Sequence, residues 1–329
     1  MFGLVGFSCG VLHIDSLTAI YTLYNSTYFN YVGVLGFING TSSDFTNVVI
    51  QLCIDQQQVS QYVGALAGVL LASIQNIKSL TIAHSCITST YNAGFVASIS
   101  SNININMVNI YNSSINCSYN ILSSSVWAVS GSIMGQVQNQ YFQDNSQILV
   151  SIVQCIIQTI SIYTYHIVTW SLASGLIGDS HTTPLSIQQT TINQSDIQAC
   201  GPVTNVVTAS GLVSYMYRQN QINFSNIKVC NSNLRAFSNT SGSQSCSGLF
   251  SQVVYNNDIS FLTVYLTNSI VTNISLFVTG PNTISGIILS NNRVVQLTAN
   301  QVSTEGINTI NGIAIQNCAN IVNQSQSGC

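Results

Sequence analysis

The sequence predicts an all-β protein, a parallel β-solenoid (β-helix) of roughly ten rungs with little or no helix. Three observations carry that prediction. A glycine-headed quartet recurs along the whole chain, a second signature built on an amide followed by serine recurs between the quartets, and the residues in between are strand formers with only three prolines. The 329 residues are therefore read as a single repeat domain, continuing beyond one or both ends in a longer protein, and not as two globular domains.

The quartet begins at Gly3, Gly33, Gly64, Gly94, Gly131, Gly175, Gly211, Gly248, Gly286 and Gly312, 26 to 44 residues apart, and reads glycine, usually two apolar residues, then most often Gly, Ala or Ser. A period of that size is the mark of stacked repeats. Glycine at its head either takes a backbone conformation barred to other residues or lets a neighbouring backbone pass close by.

The second signature appears in Ile82 to Ile87, Ile110 to Ile115, Ile192 to Ile197, Val229 to Leu234 and Leu266 to Val271, as apolar, any residue, amide or His, Ser, any residue, apolar. Upstream, Leu80 and Ile82, Val108 and Ile110, and Ile227 and Val229 alternate with period two, so they share one strand face. Continuing that alternation puts His84, Asn112, Gln194, Asn231 and Asn268 on one inward column at a corner, an asparagine ladder whose members stand about 4.8 Å apart. A third strand follows, as in Ile274 to Val278. The longer spacings are expected to loop out near Trp127, Asn145, Ser180 to Pro184 and Asn239 to Ser245.

Gly3-Leu4-Val5-Gly6 and Gly175-Leu176-Ile177-Gly178 resemble the GLUG motif, a short repeat of large bacterial and protist cell-surface and secreted proteins, some of them adhesins. Gly131-Ser132-Ile133-Met134 and Gly286-Ile287-Ile288-Leu289 depart from it. The resemblance implies a β-solenoid surface module and brings no catalytic residues with it.

Composition narrows the function classes. Charged residues are 4% of the chain and its net charge is -3, with five Lys and Arg scattered along more than two hundred residues, so no basic patch for nucleic acid can be assembled. Mean hydropathy is +0.37. No apolar run reaches the roughly 18 residues of a membrane span, so the hydropathy is read as strand core. The first residues lie inside a repeat and lack a charged leader, which fits a piece of a longer secreted protein or an atypical signal.

Residue constellations offer little chemistry. Cys53, Cys86, Cys117, Cys155, Cys200 and Cys230 each follow their repeat glycine by about 19 to 25 residues, so rung neighbours such as Cys53 and Cys86 lie within disulfide reach; buried thiols are the other reading. No CxxC or Cys-His spacing suggests a metal, and no cofactor is expected. The carboxylates are dispersed singly. Only Asp44 with Asp55, or Asp179 with Asp196 and His181, are candidates to meet across rungs as polysaccharide-cleaving enzymes require. Among the N-x-S/T sequons, Asn193, Asn223, Asn239 and Asn273 are the candidate glycosylation sites, whereas Asn112 is expected to point inward and stay bare.

The function expected from these features is a non-catalytic structural or adhesive segment, extracellular or on the cell surface, whose uncharged Asn/Ser/Thr wall contacts glycans or other surface proteins. Two alternatives stand beside it: a carbohydrate-active β-helix enzyme, and a truncated or degenerate repeat fragment. Both ends, including residues 317 to 322, read as uncapped rungs, which predicts flanking sequence or end-to-end self-association.

Overall fold

A computed structural model describes residues 5–24, 31–55, 62–71, 74–100, 102–119, 127–137, 149–167, 169–181, 184–202, 206–217, 221–238, 243–254, 262–280, 282–288 and 295–316. These residues form an all-β structure without helix. They make one 14-stranded and one 16-stranded sheet, and the pairing among them is parallel except for one short antiparallel pair.

Pairing runs in register from one repeat to the next. The strand Asn102–Tyr119 lies between Ile74–Ala83 on one side and Val150–His166 on the other. Ile110 consequently sits beside Ile82 and Ile157, and the same column continues through Ile192 to Val229. All five are buried. Aliphatic residues that repeat at matched positions pack as continuous rows, and β-branched side chains fit such pleated surfaces best. The rows join into one main core.

Long segments of the 16-stranded sheet are bent at residues of positive φ, twice in those from Ile74 onward and once, at Asn47, within Ser42–Asp55. One column of such residues comprises Ser16, Asn47, Ser79, Met107, Gln154, Gln189, Asn226, Asn268 and Gln301. Five residues beyond six of these a second column holds His84, Asn112, Thr159, Gln194, Asn231 and Asn273. Asparagine tolerates the left-handed region better than most residues, which accounts for its frequency at both bends.

These bends correct the inward ladder. His84, Asn112, Gln194, Asn231 and Asn268 are all exposed, and Asn268 belongs to the first column, its place in the second being taken by Asn273. The physical reason is that a left-handed residue interrupts the period-two alternation. Tyr111 and Asn112 therefore both face outward, and Ser113, one residue on, turns inward.

The glycine quartets form a third bend, in the 14-stranded sheet. Leu176 N–H and Ile177 N–H both reach Leu212 O, at 3.1 and 3.0 Å, and Leu212 and Val213 repeat the pattern on Leu249 O. Gly211 does not have positive φ; a Cβ there would run into the carbonyl oxygen of Gly248. Close backbone approach, not an unusual conformation, fixes glycine at this position. Gly312 departs from the series. With Asn311 it links Thr309–Ile310 to Ile313–Ala314, and both linking residues have positive φ, as a type I′ hairpin turn demands. Trp127 and Ser180, expected in loops, lie in the strands Trp127–Gly131 and Ile177–His181. Asn145, Asn239 and residues 317 to 322 lie outside the described residues.

Candidate functional site

The second bend builds an open groove on the surface, of about 720 Å³, that runs over successive repeats. One wall is the left-handed column of His84, Asn112, Thr159, Gln194 and Asn231; the other is the column two residues on, where Cys86, Ser114, Ser161, Asp196 and Asn233 are in register. The floor between them is Ser85, Ser113, Ile160 and Ser195.

Serine makes that floor possible. Ser85, Ser113, Ser195 and Ser232 are buried, and each hydroxyl donates to the carbonyl two residues earlier, Ala83, Tyr111, Asn193 and Cys230 respectively, at 2.8 to 3.1 Å. Two of these oxygens also accept a backbone N–H from the preceding repeat: Ser85 N–H to Ser113 Oγ and Ser195 N–H to Ser232 Oγ, both 3.2 Å. A buried hydroxyl is tolerated only when its hydrogen bonds are made, and at Ser113 and Ser232 donor and acceptor are both used. Backbone groups of the bend are also taken: His84 N–H, Gln194 N–H and Asn231 N–H reach the carbonyls of Tyr111, Cys230 and Thr272. What the groove offers a ligand is therefore side-chain amide and hydroxyl.

A second constellation lies on the 14-stranded sheet. Asp179 is fully buried, and its Oδ2 accepts a hydrogen bond from Gln136 Nε2 at 2.9 Å and stands 2.9 Å from His181 Nε2. Gln136 Oε1 in turn accepts from Asn92 Nδ2 at 2.8 Å. Burial pushes the Asp179 carboxyl above its ordinary range, against the opposing pull of His181, Gln136 and the Ser180 amide. Beside it Trp127 and Trp170 stack face to face at 4.2 Å, with Tyr215 edge-on to Trp170 at 4.7 Å. These rings close a small second core with Val129, Leu172 and Val206, on the sheet face opposite to Ala128 and Ala173 of the main core.

No protein-family model, curated protein or solved structure matches the chain. The reading of the site rests on its own geometry.

That geometry sorts the candidates. Asp179 and His181 come together, but Asp196 stands in the other sheet, with Arg235 Nη2 3.9 Å from its Oδ1. Asp44, bonded by Asn76, and Asp55 lie at opposite ends of one strand, Ser42–Asp55. Cys53 and Cys86 are register partners and form a disulfide, with Cα atoms 4.5 Å apart. Cys117 and Cys155 face the core without a cysteine alongside, and burial pushes both thiols up to about 12. Asn273 and Asn112 are exposed and Asn193 and Asn223 half-buried, so Asn112 does not point inward.

Sequence reasoning missed the aromatic stacks. Tyr31 and Tyr62 each precede a repeat glycine by two residues, a signal that was readable, and their rings stack at 5.5 Å. Trp127 and Trp170 are hidden because the register there pairs Gly131 with Ser174 and not with Gly175.

Proposed function

We propose that this chain is a non-catalytic β-solenoid module of a secreted or cell-surface protein, a structural or adhesive segment that contacts neutral glycans or neighbouring surface proteins. The observation that carries this reading is the second-bend groove, in which in-register columns present amides and hydroxyls with almost no charge. Such a surface suits weak contacts repeated along an axis, whose sum provides avidity. Segment-to-segment parallel pairing supports stacked rungs, the Cys53–Cys86 disulfide supports an oxidising compartment, and the glycine quartets' resemblance to the GLUG motif agrees with both.

One observation favours a second reading, a carbohydrate-active enzyme: a buried carboxylate with raised proton affinity beside a histidine. Glycoside hydrolysis asks for two carboxylates flanking the bond at roughly 5 to 9.5 Å, and Asp196, the partner suggested by sequence, is in the other sheet. The test is incubation with a glycan array followed by reducing-sugar and unsaturated-product assays. Binding to neutral glycans without product supports the module; time-dependent release of product overturns it in favour of the enzyme. A degenerate fragment would instead be digested by protease without leaving a resistant core.

A further inference from the structure

The second-bend column is divided in two by its own hydrogen bonds. At one end its amides are spent on each other and on the chain: Asn273 Nδ2 donates to Asn231 Oδ1 at 3.2 Å, Asn231 Nδ2 donates to Asn193 Oδ1 at 2.9 Å, and Asn273 Oδ1 accepts Ile307 N–H at 2.9 Å. Nearer the middle of the groove the side chains of Asn112 and Thr159, both exposed, make no hydrogen bond among the described residues, and those of Ser114 and Ser161 across the groove make none either. Gln194 uses only its Oε1, accepting from Gln158 Nε2 at 3.4 Å, which leaves its amide donors to the groove. Asp196 Oδ1 has no hydrogen-bond partner among the described residues, and Arg235 Nη2 stands 3.9 Å from it.

We propose that this open half, Asn112, Ser114, Thr159, Ser161, Gln194 and Asp196, seats a linear, neutral, β-linked hexose chain lying along the stacking direction. The inference rests on the glycan-contact reading given above and names its ligand class and its place. Three features select that class. Unspent side-chain donors and acceptors, beside strands whose backbones already pair with both neighbouring repeats, call for a hydroxyl-rich ligand and not for an added peptide strand. Paired residues recur at the strand spacing of about 4.8 Å, close to the advance of one ring in an extended β-linked chain, so successive rings meet equivalent groups. The groove follows two columns of register partners, one residue per repeat, which an α-linked chain would leave as it curves. Three repeats accommodate about three rings at that spacing.

The experiment is a calorimetric titration with β-1,4-linked glucose oligomers of two to six units, with the α-1,4-linked hexamer as control. Affinity is expected to rise up to about three or four units and then level off, with the α-linked hexamer at least tenfold weaker. Asn112→Ala with Thr159→Ala is expected to weaken binding of the β-linked hexamer at least tenfold with an unchanged far-UV spectrum and a single cooperative melt well above the titration temperature. Asn273→Ala, in the self-bonded half, should bind like the parent. Equal affinity of the double variant, affinity independent of length, or no binding of any β-linked oligomer would overturn the inference. If the parent still binds other neutral glycans on an array, the glycan-contact reading survives that failure; if it binds none, both fall.

Discussion

Ser85 N–H donates to Ser113 Oγ across 3.2 Å, and this bond, together with the backbone bonds from His84 N–H to Tyr111 O and Ser114 N–H to Ser85 O, ties one repeat to the next at the second bend. Because Ser113 Oγ also donates to Tyr111 O, one buried hydroxyl serves two backbone groups.

Removing it strands a backbone N–H of Ser85 in the interior. Ser113→Ala is expected to cost about 1–3 kcal/mol, the usual penalty for an unsatisfied buried polar group. Asn112→Ala, one residue earlier and exposed, should cost far less. Urea denaturation of the two variants checks the contrast, and equal losses would assign the bend's stability to the amide after all.

The disulfide closes a loop with a sequence separation of 33 residues between neighbouring segments. Replacing Cys53 and Cys86 together by serine should lower stability by about 2–5 kcal/mol. Thermal melts of parent and variant, without reductant, measure the difference. Treatment of the parent with reductant should reproduce it, since Cys117, Cys155 and Cys246 are buried thiols already.

The raised Asp179 carboxyl makes stability depend on pH in a defined direction. Its folded-state affinity for a proton exceeds that of the unfolded chain, so the folded state binds more protons once pH passes the ordinary carboxylate value of about 3.9. Stability therefore falls as pH rises from that value through the raised folded one, and levels off above it. Asp179→Asn lacks the ionisation while retaining an acceptor for Gln136. Its melting temperature should gain on the parent as pH is raised from 4 to 8. A difference that stays constant over that interval would show that Asp179 does not titrate differently in the fold.

How much of this is legible in the sequence depends on which rule each residue obeys. The buried rows through Ile82, Ile110 and Ile192 follow period two and were legible from spacing alone. The facing of His84 and Asn112 was not, because period two fails at a left-handed residue and nothing in the residue type says which amide is the bent one. Asn268 and Asn273 show the difficulty best. Each is an asparagine with positive φ in the same segment, five residues apart, at different bends, and both bends select the same residue types. The pairing of Asp179 with His181 was within reach of the sequence, since residues two apart share a strand face. Gln136, 43 residues upstream of Asp179, enters through the register of Met134–Val137 against Ile177–His181, which spacing between glycines does not specify.

The claim on which the rest depends is that equivalent residues of successive repeats lie directly over one another. Spin labels at His84 and Asn273, five steps apart on the second-bend column, test it by double electron–electron resonance. Five steps at the strand spacing of about 4.8 Å give a separation of ~24 Å between backbones, and a single narrow distribution centred there is expected. A broad distribution, or one centred well beyond the reach of the label linkers from that value, would contradict the stacking and with it the groove.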